Sequence, residues 1–415
     1  MESITGLEHQ SLKIGGGQLT DEQVSALDKA QKRAQKIVFN WVGPKEIKLT
    51  QMVGILVAPN ACLEILPKID GRNDTRIHLV KMIAIAENLN ISDGDISGHN
   101  KSDTILEILI GLFARKLLAQ VRRGLSRNYQ GHSDDLPKLR GKLNIIRQFS
   151  KFASSPQIIA CNFDEFTANN PLNRLLLCVV VNLRAKSNNY ENQRLLREIE
   201  AHFEDVELVT PRDALIPIIK IDRNLQKWEM LEKLARFLLK NIFQTTHSGE
   251  QDGFSLLFDM NLLFEKYIAA IARKTFTPIG WVVSAQCPQE FLANCKENDK
   301  EIFLMKPDLH LQKGDKIIVI DTKWKTFETE TELQPSQADA YQMFAYSSQY
   351  SASETILLYP HSKCLGAAGI KNIWVFNNSN RNLKAATIDL SDLQSVAKNL
   401  CGIVEDDAFL AKLVD

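Results

Sequence analysis

Residues 301–325 read EIFLMKPDLHLQKGDKIIVIDTKWK, two apolar β-like runs on either side of Gly314-Asp315. A glycine and an aspartate between two β-like runs are typical of a hairpin with a two-residue loop. In that register Asp308 lies directly opposite Asp321. Opposed like charges on neighbouring strands destabilise a sheet, whereas a divalent cation between two carboxylates uses both as ligands. The stretch therefore predicts a hairpin that carries a cation-binding pair of carboxylates.

Lys323 extends this predicted site, because residues two apart on a strand point to the same face. Asp321, Lys323 and Asp308 should therefore converge. Two carboxylates suit Mg²⁺, and a lysine beside them can orient or help deprotonate a water, or stabilise charge during phosphodiester hydrolysis. The competing interpretation is a hairpin with ordinary exposed charges. The apolar run 317–320 favours a buried strand, and Lys325, on the same face further out, is expected in solvent.

Composition excludes several classes of protein. The chain has 415 residues, 50 basic and 50 acidic, and 44% hydrophobic residues, which predicts two or three domains with substantial cores. A disordered chain, a collagen, a disulfide scaffold and a uniform polycation are excluded. The chain contains no long apolar run and no basic-then-apolar leader, and its seven cysteines are dispersed. We expect a cytoplasmic protein with reduced thiols and no contact with membranes.

Hydrophobic periodicity divides the chain into three segments. Residues 34–69 are β-rich, and helical periodicity covers residues 75–128 and 170–247, with a polar loop predicted at 128–142. Beyond residue 250, helical and strand patterns alternate. Soft boundaries near residues 155 and 250 give the predicted segments 1–155, 156–250 and 251–415.

A basic block lies between residues 115 and 151, where ten Lys or Arg accompany only two acids. Such density suits contact with phosphate or with an acidic partner surface. A solvated helix face followed by a basic loop would explain it equally. The candidate contact residues are Arg122, Arg123, Arg127, Arg140 and Lys142.

The spacing of the hairpin motif resembles a known nuclease signature. Pro307-Asp308, twelve intervening residues and Asp321-Thr322-Lys323 resemble the PD-(D/E)xK motif. Downstream, residues 342–346 (QMFAY) resemble the QxxxY element of RecB-like and related nucleases. Upstream, residues 261–267 (NLLFEKY) resemble the opening helix of that superfamily.

Further motifs narrow the resemblance to McrC, the nuclease subunit of modification-dependent McrBC restriction systems. Three of them lie outside the nuclease core and one lies within it, and the resemblance spans the chain from about residue 50 to residue 360. They are LEILPKI at 63–69, RGKL at 140–143, DEFT at 164–167 and, in the next core strand, LLYP at 357–360.

The resemblance implies a fold and residue roles. The fold would be α/β, with a restriction-endonuclease-like core of mixed central sheet flanked by helices at 251–415, after a β-rich N-terminal domain and a helical middle region. Asp308 and Asp321 would bind the metal with help from Glu265, and Lys323 would be the catalytic lysine. Gln342 and Tyr346 are four residues apart and share one helix face. They could assist catalysis or could only pack the helix against the sheet, and both roles stay open. Trp324 points away from Lys323 and is expected to pack in the core.

The resemblance also implies partners. McrC-type subunits work with McrB, an AAA+ ring that hydrolyses GTP and recognises modified DNA; the N-terminal region 1–155 would dock on it, and an arginine of the basic block could act at the partner's GTP site. This chain lacks G-x-x-x-x-G-K-[ST], since Leu136 stands where the first glycine would precede Gly141-Lys142. We therefore expect this chain to bind Mg²⁺ or Mn²⁺ but no nucleotide. The expected substrate is double-stranded DNA that carries a modified base such as methylcytosine.

Two other functions are compatible with these residues. The chain could serve as a scaffold that activates the GTPase and makes little use of its nuclease residues. It could also be a stand-alone repair nuclease of RecB-like type that needs no partner. Dimerisation of partner-bound complexes, in which a second copy cuts the second strand, stays open.

Overall fold

A computed structural model shows a mixed α/β protein, which confirms the predicted α/β class. It describes residues 3–15, 19–69, 74–89, 91, 94, 103–150, 157–243, 253–325, 327, 329, 333–377 and 379–404. The predicted boundaries near residues 155 and 250 lie outside these ranges.

The described residues form strands in several sheets. The strands are β1 Ser3–Leu7, β2 Ser11–Lys13, β3 Phe39–Gly43, β4 Glu46–Leu49, β5 Met52–Ala58, β6 Ala61–Leu66, β7 Asn128–Leu136, β8 Lys142–Leu143, β9 Ile159–Thr167, β10 Phe254–Asp259, β11 Val282–Ala285, β12 Glu290–Asn294, β13 Glu301–Met305, β14 Leu309–Lys313, β15 Lys316–Thr322, β16 Glu354–Pro360, β17 Gly369–Val375 and β18 Asn382–Ile388.

The helices flank these sheets or pack on one another. The α-helices are Asp21–Arg33, Thr75–Ala86, Ile105–Val121, Ile145–Ser150, Pro171–Lys186, Tyr190–Ala201, Pro211–Leu215, Glu229–Phe243, Met260–Phe276, Gln337–Gln349 and Val396–Val404. Short 3-10 helices are Gln226–Trp228, Thr277–Ile279 and Lys363–Leu365. No helix within the described ranges has both the length and the apolar character needed to cross a bilayer.

The chain forms two compact units, residues 1–91 with 252–415, and residues 92–251. Strand pairing explains why the first unit is discontinuous in sequence. β10 runs antiparallel to β5, with Asp259 opposite Met52, so that residues 254–259 complete the sheet of the N-terminal strands. The contacts thus group residues 1–91 with the 252–415 segment, which differs from the predicted segments 1–155, 156–250 and 251–415.

The N-terminal sheet has the strand order β1-β6-β5-β10. Its central strands β5 and β6 are nearly all buried, as the apolar pattern of residues 34–69 predicted. Gly54 of β5 has a φ of 121°, and a Cβ there would lie 2.0 Å from the carbonyl oxygen of Leu256. Only glycine lets β10 approach at this point.

The second sheet of this unit has six strands in the order β11-β14-β15-β16-β18-β17. β14 and β15 form the predicted hairpin, and helix Gln337–Gln349 connects β15 to the parallel strand β16. Residues 318–320 of β15 are fully buried, as befits a strand with neighbours on both sides. Helices Met260–Phe276 and Gln337–Gln349 both contact β15.

The 92–251 unit contains the predicted helices and one sheet that the sequence did not predict. Helices Ile105–Val121, Pro171–Lys186, Tyr190–Ala201 and Glu229–Phe243 confirm the helical periodicity. The prediction of a polar loop at 128–142 is wrong, because residues 128–136 form β7. All nine residues of β7 pair with β9, so its hydrogen bonds come from a distant strand rather than from a local pattern.

Candidate active site

The register of the hairpin places Asp308 beside the end of β15. Leu309 pairs with Ile320 and Lys313 with Lys316, which confirms the two-residue loop. Asp308 immediately precedes β14, and its Oδ2 accepts hydrogen bonds from the backbone N–H of Thr322 at 2.7 Å and from the Thr322 hydroxyl at 2.8 Å. The carboxylate is thereby fixed toward the strand that carries Asp321.

Asp321 is a buried acid, 3% exposed, at the penultimate position of strand β15. Its Oδ2 lies 2.7 Å from Lys323 Nζ, and its Oδ1 accepts a 3.3 Å hydrogen bond from Gln342 Nε2. Burial, followed by the nearby charge of Asp308, raises the pKa of Asp321 to about 6. The two carboxylates therefore repel each other in a poorly solvated place, as the opposed positions predicted.

Lys323 is half-buried among acidic groups. Besides Asp321, its Nζ lies 3.9 Å from Asp339 Oδ1 and 3.5 Å from Gln342 Oε1. Burial alone would lower the pKa of Lys323, but Asp321 and the other carboxylates outweigh it and raise the pKa. The side chain is a fixed cation, so it can stabilise negative charge but does not serve as a free base near neutral pH.

Gln342 and Tyr346 lie on one face of helix Gln337–Gln349 and reach the site. Gln342 Nε2 is 3.0 Å from the Tyr346 hydroxyl, which donates to the Lys306 carbonyl at 3.2 Å. Gln342 therefore contacts Asp321, Lys323 and Tyr346 at once. Helix packing alone does not explain these polar contacts, although Tyr346 is also buried in the core.

Glu265 approaches the carboxylates from helix Met260–Phe276. Burial, followed by the charge of Asp308, raises the pKa of Glu265. Its carboxylate accepts a hydrogen bond from Gln286 Nε2, while the Gln286 backbone N–H donates to the Asp308 carbonyl at 3.1 Å. Gln286 has a φ of 55°. Sequence reasoning missed this residue, since no local pattern marks a left-handed glutamine.

The carboxylate oxygens of Asp308 and Asp321 are suitable ligands for a hard divalent cation. Mg²⁺ binds through one or two carboxylates together with waters and substrate phosphate oxygens. Burial and the charge of Asp308 raise the pKa of Asp321 and so disfavour its ionised form, which a bound cation would stabilise. Across the described part of the chain, no three His, Cys, Asp or Glu side chains are gathered as a ready metal cage. Glu265, engaged by Gln286, does not complete such a group here.

Neighbouring residues of the motif lie outside the carboxylate cluster. Lys325 is exposed, with its Nζ 5.2 Å above the Phe327 ring, which confirms that it lies in solvent. Trp324 is 8% exposed and packs edge-on against Phe264 at 5.4 Å, which confirms the predicted core position.

The five basic candidates all belong to the 92–251 unit, whereas the carboxylates belong to the other unit. Arg122 pairs with Glu198 at 2.5 Å, and Arg140 with Glu165 at 3.3 Å. The remaining three are exposed: Arg123, Arg127 and Lys142. Two of the five charges are thus partly neutralised within the chain.

These observations define a class: a mixed α/β protein with a buried carboxylate pair and a fixed lysine at the end of a sheet hairpin. Residues 47–360 match the family model described as "McrBC 5-methylcytosine restriction system component". The chain belongs to this family, which confirms the resemblance stated from its motifs. No curated protein matches it.

Two solved structures from Thermococcus gammatolerans are similar to this chain. A chain of the refined half-complex of McrB AAA+ hexamers with bound McrC has 21% identity and a TM-score of 0.74, over 98% of this chain and 100% of that one. A chain of the cryo-EM McrBC complex has 22% identity and a TM-score of 0.54, over 66% and 88%. At this identity the similarity concerns the fold.

Proposed function

We propose that this protein is the McrC-type endonuclease subunit of a modification-dependent restriction system, and that it hydrolyses DNA phosphodiesters with Mg²⁺. One observation carries the proposal: Asp308, Asp321 and Lys323 converge at the end of a buried hairpin strand. The order of helix Met260–Phe276, the hairpin, helix Gln337–Gln349 and β16 suits a restriction-endonuclease-like core. Membership of the McrBC family supports the same function.

The chain's own side chains have separable roles in this reaction. When bound at Asp308 and Asp321, Mg²⁺ would neutralise charge on the scissile phosphate. Lys323, held by Asp321 and Asp339, donates to a phosphate oxygen as negative charge develops there. Gln342 holds the Lys323 ammonium and the Asp321 carboxylate in one geometry. Thr322 keeps Asp308 turned toward the strand, which limits reorganisation during the reaction.

Paired alanine variants on the same hairpin test the proposed site. Asp321→Ala should lower Mg²⁺-dependent cleavage by at least about 10³-fold, since it removes a ligand and the partner of Lys323. Asp315→Ala is the matched control, because Asp315 is an exposed acid in the loop of the same hairpin. Full activity of Asp321→Ala in a preparation free of other nucleases would refute the site.

The proposed partner is a McrB-type AAA+ GTPase that carries the recognition of modified DNA. One of the similar Thermococcus gammatolerans structures is described as McrB AAA+ hexamers with bound McrC, and the other as the McrBC complex. In this chain the 92–251 unit has an exposed apolar helix, Ile145–Ser150, on which Ile146 and Phe149 are each 86% exposed. Exposed apolar clusters of this kind commonly mark protein interfaces.

Substitutions in the full chain test this docking. A truncated chain would serve poorly, because β10 completes the sheet of the N-terminal strands. The double variant Ile146→Ser, Phe149→Ser should abolish stimulation of the partner's GTP hydrolysis. Ile218→Ser is the control, since Ile218 is 90% exposed in the same unit but lies outside the apolar helix. Equal stimulation by all the variants would show that docking uses another surface.

A scaffold that chiefly activates the GTPase is the second candidate, and the same exposed helix favours it. It predicts that Asp321→Ala leaves stimulation of GTP hydrolysis intact and that wild-type chain plus partner cleaves no DNA. A stand-alone nuclease instead predicts cleavage by this chain without any partner.

A further inference from the structure

A buried glutamate near the start of the chain contacts the residue that follows the proposed catalytic lysine. Glu8 is 3% exposed. Its two carboxylate oxygens accept hydrogen bonds from the indole N–H of Trp324 at 3.0 and 2.9 Å, and Oε1 also accepts from the Lys68 backbone N–H at 2.7 Å. The contact joins residues 316 positions apart in the sequence.

Trp324 directly follows Lys323, so the contact with Glu8 bears on the backbone next to the proposed catalytic lysine. β15 ends at Thr322, so Lys323 and the residues after it have left the strand ladder. The Lys323 backbone N–H still donates to the Leu358 carbonyl at 2.9 Å. The next residue, Trp324, adds further contacts: its backbone N–H donates to Asn261 Oδ1 at 3.2 Å, and its ring packs on Phe264.

We infer that Glu8 is a positioning residue for the active site: by fixing the Trp324 indole it fixes the backbone that carries Lys323. The inference rests on the proposed function, because it assigns Glu8 to the geometry of that site. Glu8 itself touches neither the carboxylates nor any group that would react.

Burying an ionised carboxylate costs desolvation free energy, which a purely structural contact would not require. Its hydrogen-bond donors are neutral, an indole N–H and a backbone N–H, and burial raises the pKa of Glu8 to about 7. Buried acids with raised pKa values concentrate at functional sites. A neutral amide could satisfy the indole but accepts through one oxygen only, whereas the ionised carboxylate accepts through both.

Among the residues that the structure describes, few charged or titratable side chains lie near Glu8. A cavity of about 580 Å³ beside it is lined by Lys68, His9 and Lys325. The positive charge of Lys68 favours the ionised carboxylate. Burial, with the charges of Lys48 and Lys68, lowers the pKa of His9, so His9 is neutral in the range where Glu8 titrates. The contact with Trp324 is therefore strongest above pH 7 and weakens as Glu8 takes up a proton.

Two conservative variants and their combination test the inference on the full chain with its partner. Glu8→Gln and Trp324→Phe should each lower kcat for DNA cleavage at pH 8 by about tenfold, with KM nearly unchanged. The double variant should be no worse than either single variant, because both remove the same contact. Trp41→Phe is the matched control, since Trp41 is 52% exposed on β3 and loses the same N–H.

Two readouts do not depend on cleavage. Trp324 fluorescence, taken as the difference between wild type and Trp324→Phe, should titrate with a midpoint near pH 7 in the wild type and lose that transition in Glu8→Gln. Hydrogen exchange of the Lys323 and Trp324 amides at pH 8 should be faster in Glu8→Gln than in wild type. Neither measurement needs DNA or metal.

The outcomes separate the inference from the proposed function. Folded Glu8→Gln with wild-type kcat, or additive losses in the double variant, would overturn the inference while cleavage itself persists. If the wild type cleaves no DNA under any condition, the proposed function fails. Unchanged exchange at Lys323 and Trp324 in Glu8→Gln would then still overturn the positioning role, and faster exchange would support it.

Discussion

Lys323 Nζ lies 2.7 Å from Asp321 Oδ2, in an ion pair between residues two apart at the end of a buried strand. The same pair is flanked by Gln342 from the helix that crosses to the next parallel strand. The ion pair keeps the lysine charged and keeps the acid, which burial would otherwise neutralise, close to a second carboxylate. The carboxylates and the Lys323 ammonium are thus held together where a metal cation and a substrate phosphate would bind.

Mg²⁺ affinity should depend on pH through Asp321. Its pKa of about 6 exceeds the ordinary value of 3.8, so protons compete with the metal below pH 6 and little above it. We expect about tenfold weaker Mg²⁺ binding at pH 5 than at pH 7. Isothermal titration calorimetry of the free chain at both pH values measures this, and a pH-independent affinity would show that Asp321 is not a ligand.

Asp321 should also make the fold less stable as pH rises. Because its pKa is higher in the folded state than in the unfolded state, its contribution is most favourable below about pH 4 and is lost as pH rises through 6. Asp321→Asn should raise the free energy of unfolding at pH 8 by about 1 kcal/mol, since the unpaired Lys323 offsets part of the gain.

Urea unfolding of wild type and Asp321→Asn at pH 5 and pH 8, without metal, measures the difference. The stabilisation by the variant should be larger at pH 8. A variant less stable than wild type at pH 8 would mean that the ion pair outweighs burial.

Gln342 should matter for rate more than for stability. Gln342→Ala removes its contacts with Lys323, Asp321 and Tyr346, so we expect kcat to fall by about 10 to 100-fold. Gln337→Ala is the control, because Gln337 is exposed on the same helix. Single-turnover cleavage compares them, and equal rates would return Gln342 to a packing role.

Gly54→Ala should destabilise the N-terminal sheet. A Cβ would meet the Leu256 carbonyl at 2.0 Å, and the φ of 121° is unfavourable for alanine. We expect a loss of about 2–4 kcal/mol in the free energy of unfolding. Gly43→Ala is the control, because nothing lies within 4 Å of a Cβ there. A loss below about 0.5 kcal/mol in chemical denaturation would contradict the tight β5–β10 approach.

The hairpin site could be predicted because its determinants are local. Loop length and strand parity predicted that Asp308, Asp321 and Lys323 converge, and the i, i+4 spacing predicted that Gln342 and Tyr346 share a helix face. That this face reaches Asp321 and Lys323 depends on how the helix packs on the sheet. Metal binding, and the metal role of Glu265, remain predictions.

The remaining features depend on partners distant in sequence. Glu8 lies near the start of the chain and carries no motif, so its contact with Trp324 becomes visible only when β1 and β15 are placed in space. Gln286 reaches Glu265 through a left-handed backbone. The polar residues of β7 form a strand because all nine of them pair with β9, which lies more than 20 residues further along the chain.

Cleavage of a methylated plasmid tests the central claim most directly. The reaction should contain Mg²⁺ and GTP, with this chain, its McrB-type partner, or both, and with Asp321→Ala and Asp315→Ala in parallel. We predict double-strand cleavage only when chain and partner are both present, lost with Asp321→Ala, retained with Asp315→Ala and absent on unmethylated plasmid. Undiminished cleavage by Asp321→Ala, or none by the wild-type pair while GTP hydrolysis is stimulated, would contradict the account.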